Sequence, residues 1–216
     1  MNIEQARFNM IEQQIRPWNV LDAGILDLLG AVRREDFVPP AYRALAFVDT
    51  EIPLPCGQNM LAPKVEARIL QELAVRKDEW VLEIGAGSGF MAALLGHRAA
   101  AVQTLELHEE LVAMARGNLQ RAGAGNVTVE HGDGAHYAKR AEFDVIVLSG
   151  SVAEVPQDLL QRLRPGGRLA AVVGFEPVMR AQIVTRATEN DFVTRDLFDT
   201  VATRLEQFPE PSRFRF

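Results

Sequence analysis

The chain has 216 residues, 48% of them hydrophobic, with a net charge of −6. That is long enough for one well-buried domain, and too acidic, with its basic residues too scattered, for a general nucleic-acid binder. A single cysteine, Cys56, excludes an internal disulfide and fits a reducing compartment; Glu4 stands where a secretory signal would be basic, and no apolar run approaches the ~20 residues that span a bilayer, so a cytoplasmic protein without membrane association is expected.

Ile3, Phe8, Ile11 and Ile15 recur at helical steps that stop at Pro17. Asp22 is placed to cap a second helix whose apolar face is Ile25, Leu28, Leu29 and Val32. From Phe37 to Pro63 five prolines exclude a regular element, while Phe37, Val38, Leu45, Phe47, Ile52 and Leu54 favour a packed loop. Pro63 suits the first turn of a helix carrying Val65, Ile69, Leu70 and Leu73. Strand and helix then alternate. A strand over Trp80–Ile84 leads to a helix from Gly89 to about His97 and a strand over Ala101–Leu107. A helix follows from about Glu109 to Ala122, closed by Gly123, and then strands over Val127–Glu130 and Phe143–Leu148. A helix over Pro156–Arg164, a Pro165-Gly166-Gly167 turn and a strand over Arg168–Val173 complete the alternation. Two further strands, near Arg180–Ala187 and Asp191–Thr203, read as an antiparallel hairpin turning at Glu189 and Asn190. The expected fold is α/β: a Rossmann-like seven-stranded sheet, mostly parallel with a C-terminal antiparallel hairpin, preceded by N-terminal helices. One domain, 1–216, is expected, in zones 1–62, 63–174 and 175–216.

The segment Val81-Leu82-Glu83-Ile84-Gly85-Ala86-Gly87-Ser88-Gly89-Phe90 carries the most information. An apolar strand runs into three alternate glycines and a helix starts at once, so a ligand can press against bare backbone beside a helix start. A dinucleotide loop would read G-x-G-x-x-G. Here the third glycine comes one residue early, at Gly89, and Glu83 stands two residues before the first. Glu106, at the end of the next strand, is 23 residues beyond Glu83, and Gly132-Asp133-Gly134 ends the third. Each feature alone has an ordinary reading, as a tight turn or a solvated charge; their recurrence at the tips of successive strands does not.

The Glu-x-Gly-x-Gly-x-Gly loop resembles the first motif of S-adenosylmethionine-dependent methyltransferases. By that resemblance Glu83, Gly85, Ala86, Gly87, Ser88, Gly89, Glu106, Leu107, Asp133 and Gly134 would bind the cofactor. Glu106 would take the ribose hydroxyls and Asp133 the adenine amino group, with S-adenosylhomocysteine as product. Across nearly the whole chain the order of segments is similar to the protein-L-isoaspartate O-methyltransferases. The matching segments are Arg7 to Gln14, Phe37-Val38-Pro39, Ala46-Phe47-Val48-Asp49, Pro53-Leu54-Pro55, Gly57-Gln58 and Leu163-Arg164-Pro165-Gly166-Gly167. The resemblance implies a repair enzyme acting on isoaspartyl residues of proteins or peptides, with 1–62 on the acceptor side, 63–174 as cofactor core and 175–216 as C-terminal strands and tail. The sequence departs from the family after Gln58. Where Thr-Ile-Ser-Gln-Pro is usual, this chain reads Asn59-Met60-Leu61-Ala62-Pro63, so Leu61 replaces the hydroxyl of the acceptor site. Asp49, Gln58, Asn59 and Leu61 are the acceptor-pocket candidates.

A carboxylate acceptor is already ionised at neutral pH and needs no general base, whereas an amine or hydroxyl acceptor usually does. No metal site and no catalytic base are assigned. His97, His108, His131 and His136 are isolated and read as surface or structural; His131 and His136 flank the Gly-Asp-Gly triplet. Cys56 has no recognisable histidine partner and reads as a packed thiol. Ser149-Gly150-Ser151 reads as a loop at the edge of the crevice, and the aromatic-basic stretch Phe208 to Phe216 as a tail packed on the body. A same-fold methyltransferase with another acceptor, a non-catalytic cofactor-binding module and a nucleotide-dependent dehydrogenase are the alternatives.

Overall fold

The computed structural model describes residues 2–137 and 142–211. Asn2 accepts a bond from the Gln5 N–H and starts α1 (Ile3–Met10). The helical run does not stop before Pro17. It widens into a π turn over Ile11–Ile15 and tightens over Arg16–Trp18, ending at Asn19 in the left-handed conformation. Pro17 fits there because the first turn of a tight helix asks no N–H of it. Met10, Ile11 and Ile15 are buried, whereas Ile3 and Phe8, both expected on the apolar face, are exposed. Asp22 Oδ1 accepts from the Ile25 N–H, 3.0 Å, and begins α2 (Ala23–Ala31), as its position predicts. In the proline-rich stretch a short antiparallel pair does form, β1 (Ile52–Pro53) with β2 (Asn59–Met60). Pro53 is tolerated because this two-strand ribbon has free edges.

The sheet that carries the site contains β3 (Trp80–Ile84), β4 (Ala101–Glu106), β5 (Val127–His131), β6 (Phe143–Val152), β7 (Leu163–Phe175), β8 (Val178–Arg186) and β9 (Phe192–Thr200) in the order β5-β4-β3-β6-β7-β8-β9. The first five strands are mutually parallel, β8 runs against β7, and β9 runs against β8. One face, with Val81, Val102, Val145 and Val147, packs on α1, α2, α3 (Pro63–Leu73), α4 (Phe90–Gly96) and α5 (Glu109–Arg121). The other, with Leu82, Ile84, Ile146 and Leu148, is covered by Tyr137, Phe208 and α6 (Gln157–Leu160). Burial on both faces is why β3 and β6 read as unbroken apolar runs. Gly123 follows α5 at φ +69°, the expected left-handed stop.

Several boundaries differ from expectation: β6 runs on past Leu148 to Val152, and β9 ends at Thr200 rather than Thr203. The helix expected over Pro156–Arg164 is only one turn, Gln157–Leu160. Leu163 already pairs with Phe143, and the Pro165-Gly166-Gly167 segment is a bulge inside β7, which resumes pairing at Val145–Arg168. Glycine is required at 167, where a Cβ would sit 2.9 Å from the carbonyl oxygens of Arg164 and Asp144.

A buried ion pair ties the N-terminal part to this core. Arg34, 1% exposed, binds Glu66 of α3 and donates to the Leu61 carbonyl, 2.6 Å, with its guanidinium over the Phe90 ring. Beside it Arg7 of α1 pairs with Glu35. Burial raises the Glu66 carboxyl to about 7 against the lowering pull of Arg34. Arg34→Met is expected to cost about 3–5 kcal/mol in urea unfolding, because it strands a buried carboxylate. The deficit should be smaller at pH 5 than at pH 9, since below its folded-state pKa Glu66 relieves itself by protonation; equal deficits at both pH values would contradict this account.

Candidate nucleoside-binding cleft

At the C-terminal ends of the parallel strands, β4 and β6 flank β3 on opposite sides and the chain leaves the sheet in opposite directions. Such a reversal opens a crevice in parallel sheets. The cleft found there is lined by residues from every strand tip nearby, including Gly85, Gly87, Glu106, Leu107, Asp133 and Gly134.

The glycine loop is held from below by the Leu105 carbonyl, which accepts the N–H groups of Gly85 and Ala86 at 2.9 and 3.1 Å. Gly85, Gly87 and Gly89 all have positive φ, at +90°, +52° and +85°, so three non-glycine residues there would be strained. Glu106, 5% exposed, accepts from the Gly87 N–H at 2.8 Å and from the His108 N–H at 3.1 Å. These two bonds fix its carboxylate at the rim of the cleft and leave lone pairs to spare. Asp133 accepts from the Ala135 N–H, 2.8 Å, and meets His136 Nδ1 at 2.7 Å. Gly134 lies so close to β3 that a Cβ would fall 2.2 Å from Ile84 Cγ2. The cleft floor is therefore flat for a steric reason.

The roof comes from two segments. Gln58 and Asn59 cross from the proline-rich stretch, and Leu205, Glu206 and Phe208 arrive from beyond β9. Residues 203–205 lie alongside Ser151, whose N–H donates to Thr203 and whose carbonyl accepts from Leu205. Glu206 Oε1 accepts from Gln58 Nε2 at 2.7 Å and lies 3.1 Å from His108 Nε2. Asn59 Nδ2 donates to Thr203 Oγ1, 2.8 Å. Beneath this roof about 50 Å³ is open, room for one or two waters.

A second, smaller cavity shares Asn59, Gly85, Gly87 and Ser149 with the cleft and is closed by Leu61, Ala86, Ser88 and Glu83. Glu83 is fully buried and accepts from Thr104 Oγ1 at 2.6 Å and Ser149 Oγ at 2.7 Å. Burial outweighs those bonds and raises its carboxyl to about 8. Gly89 lines neither space; it packs on Ala115 and Leu119 of α5. Asp49 is also away from both, paired with Lys64 at 2.5 Å.

Leu111, Leu205 and Glu206 line the cleft without having been singled out, as do His108, expected at the surface or in a structural role, and Phe208, expected only to pack on the body. Only His108 had a signal, its place two residues after Glu106. Ser149, Gly150 and Ser151 belong to β6 rather than to a loop. Cys56 is exposed, not packed, and its thiol is pushed up by desolvation and then by the carboxylates of Glu110, Glu106 and Glu206, which makes it a poorer nucleophile. Of the expected tail, Phe208 reaches the cleft; residues 212–216 lie outside the described residues.

A family model described as protein-L-isoaspartate(D-aspartate) O-methyltransferase matches residues 5–203. A protein-L-isoaspartate O-methyltransferase of Koribacter versatilis is 39% identical over 181 residues, 83% of this chain and 81% of that protein. One from Methylorubrum populi is 37% identical over 194 residues, 89% of this chain and 91% of that protein. A Plasmodium falciparum crystal structure described as a protein-L-isoaspartate O-methyltransferase in complex with S-adenosyl-L-homocysteine superimposes with a TM-score of 0.80 at 19% identity, covering 96% of this chain and 99% of that one. The shared fold is the Rossmann-like seven-stranded sheet described above.

The buried Glu83 carboxyl makes a pH prediction. A folded pKa raised to about 8 contributes stability that is complete below the unfolded value near 4.5 and lost as pH rises through 8. Glu83→Gln should abolish that loss, so its stability relative to wild type should rise by a few kcal/mol between pH 5 and pH 9 in urea titrations; parallel pH profiles for the two proteins would refute it.

Proposed function

The chain belongs to the protein-L-isoaspartate O-methyltransferase family, and we propose that it transfers a methyl group from S-adenosylmethionine to the free carboxylate of an isoaspartyl residue in a protein or peptide, in the cytoplasm. The convergence of Glu106, Asp133 and bare glycine backbone on one cleft at the strand reversal carries this reading.

The residues present suit the cofactor. The ribose hydroxyls would bond to Glu106, and the adenine amino group to Asp133. The adenine ring would lie along Gly134, which the Ile84 contact keeps free of a side chain. The methionyl portion would pass Gly85 to Ser88, above the protonatable Glu83. When bound, S-adenosylmethionine supplies a methyl group on a sulfonium sulfur. The protein's task is then to hold the acceptor in line and to keep water out. Leu105, Leu111, Leu205 and Phe208 supply apolar walls, and an ionised carboxylate acceptor needs no base, in keeping with a cleft whose one histidine, His108, is already engaged by Glu206.

The acceptor would enter across Gln58 and Asn59, which reach the cleft. Asp49 holds Lys64 and so shapes the approach from outside. Leu61 favours a second reading, the same cofactor with a different acceptor, because its buried side chain offers no hydroxyl where the family has one.

Labelled S-adenosylmethionine offered with an isoaspartyl peptide tests the first reading. Transfer is expected for the wild type, with a loss on the order of 100-fold in kcat/KM for Glu106→Ala, about 2–3 kcal/mol for a charge-assisted hydrogen-bond pair. Transfer that Glu106→Ala leaves intact would refute the cofactor assignment; transfer that appears only in Leu61→Ser would favour the second reading. The roof makes a separate prediction. Glu206→Ala frees Gln58 and His108, and should speed release of S-adenosylhomocysteine in stopped-flow measurements several-fold; an unchanged release rate would show that this latch does not gate the cleft.

A further inference from the structure

On the helical side of the molecule lies a groove of about 630 Å³ between the end of α2, His97 at the close of α4, and the C-terminal end of α5. It is far larger than the open part of the cleft, and its lining differs in charge from the rest of the chain. Arg33, Arg43 and Arg121 all line it, and Asp36 is the only carboxylate among its described lining residues.

The arginines elsewhere are largely matched to acids. Arg7, Arg16, Arg34, Arg68, Arg76, Arg164, Arg168, Arg180, Arg195 and Arg204 each pair with a carboxylate. Arg116, Arg162 and Arg186 bond backbone carbonyls. Among the described residues Arg33, Arg43 and Arg121 have no carboxylate partner, and Arg98, at a separate surface, has none either. A chain with net charge −6 has therefore left three guanidinium groups unmatched around one concavity. Guanidinium forks suit phosphate and carboxylate oxygens, and Phe37 with its aliphatic neighbours gives the groove an apolar wall.

The groove is also joined to the cofactor loop. Arg121 donates to Asn118 Oδ1, and Asn118, 7% exposed, donates through Nδ2 to the Ser88 carbonyl at 2.8 Å. An anion that draws Arg121 outward bears on the hydrogen bond that holds the third turn of the glycine loop.

We propose that this groove is a second ligand site, for a small polyanion carrying adjacent phosphate or carboxylate groups, and that its occupancy is communicated to the glycine loop through Arg121, Asn118 and Ser88. The proposal does not rest on the methyl-transfer reading, because the groove lies apart from the cleft and its test uses neither cofactor nor acceptor.

Inorganic tripolyphosphate is a suitable probe, since the acidic cleft of Glu106, Asp133 and Glu206 repels it. Calorimetric titration into the full chain should show one site with Kd below about 1 mM. Arg33→Ala combined with Arg43→Ala should weaken it at least about tenfold. Arg180→Ala, an exposed arginine on β8, should leave it unchanged. In amide spectra the signals of Asn118, Ser88 and Gly89 should shift with the same midpoint. Absence of binding, a loss shared by Arg180→Ala, indifference to the double substitution, or shifts that spare Ser88 would each overturn the proposal. Both substituted side chains in the double variant are exposed, so loss of fold does not confound the result.

Discussion

The site depends on the reversal of chain direction at β3. From that strand the sheet grows one way through β4 and β5 and the other way through β6 and β7, so the loops leaving β3 and β6 part company and open a crevice between them. A strand order that ran one way throughout would have closed the space with connections. The rest of the site follows from that geometry. Glu106 and Asp133 stand beside the crevice because they end the next two strands outward. The glycine loop is the turn out of β3 itself, and its N–H groups hang on Leu105 of β4.

Burial decides how charge is used around that crevice. Glu106 sits at the rim with two N–H donors and keeps room for a ligand. Glu83, beside Thr104 on the neighbouring strand and wholly enclosed, has only two hydroxyls to answer it. Of these two carboxylates one strand apart, it is the enclosed Glu83 whose carboxyl is raised to about 8 by burial. Glu66, the third buried acid of the region, is answered by Arg34, which at the same time fixes the carbonyl of Leu61. The acceptor-side segment is therefore anchored by the same pair that anchors the N-terminal helices.

The sheet and its loop were legible because parallel strands buried on both faces leave unbroken apolar runs, as in Val145–Leu148, and because glycine spacing is a backbone requirement visible in one dimension. The strand order and the close approach of Gly134 to Ile84 came only with the structure, because neither pairing order nor packing leaves a pattern along the chain. Of the roof, Gln58 and Asn59 were legible and the half that arrives from beyond β9 was not. Thr203–Leu205 has no periodicity, and it is held by Ser151, about fifty positions earlier in the chain. Arg34 was equally hidden, since Arg33-Arg34-Glu35-Asp36 reads as a solvated charge run and only the packing of α3 shows that Arg34 and Glu35 turn inward. In β7 the Pro165-Gly166-Gly167 sequence has the chemistry of a turn, and only pairing on both sides shows it to be a bulge.

The outer margin of β9 has a bearing on how the protein meets extended polypeptides. An unpaired strand margin is a template on which extended polypeptide can anneal. Here Arg195 and Asp196 stand exposed side by side on that margin, Asp196 is tethered to Arg180, and Arg195 reaches back to Glu72 of α3. A stray segment laid along it would have to settle beside these exposed charges rather than against an apolar edge. A charged margin of this kind keeps extended chains from annealing to the sheet, so a polypeptide acceptor of the proposed kind would engage the protein at its cleft and not at its edge.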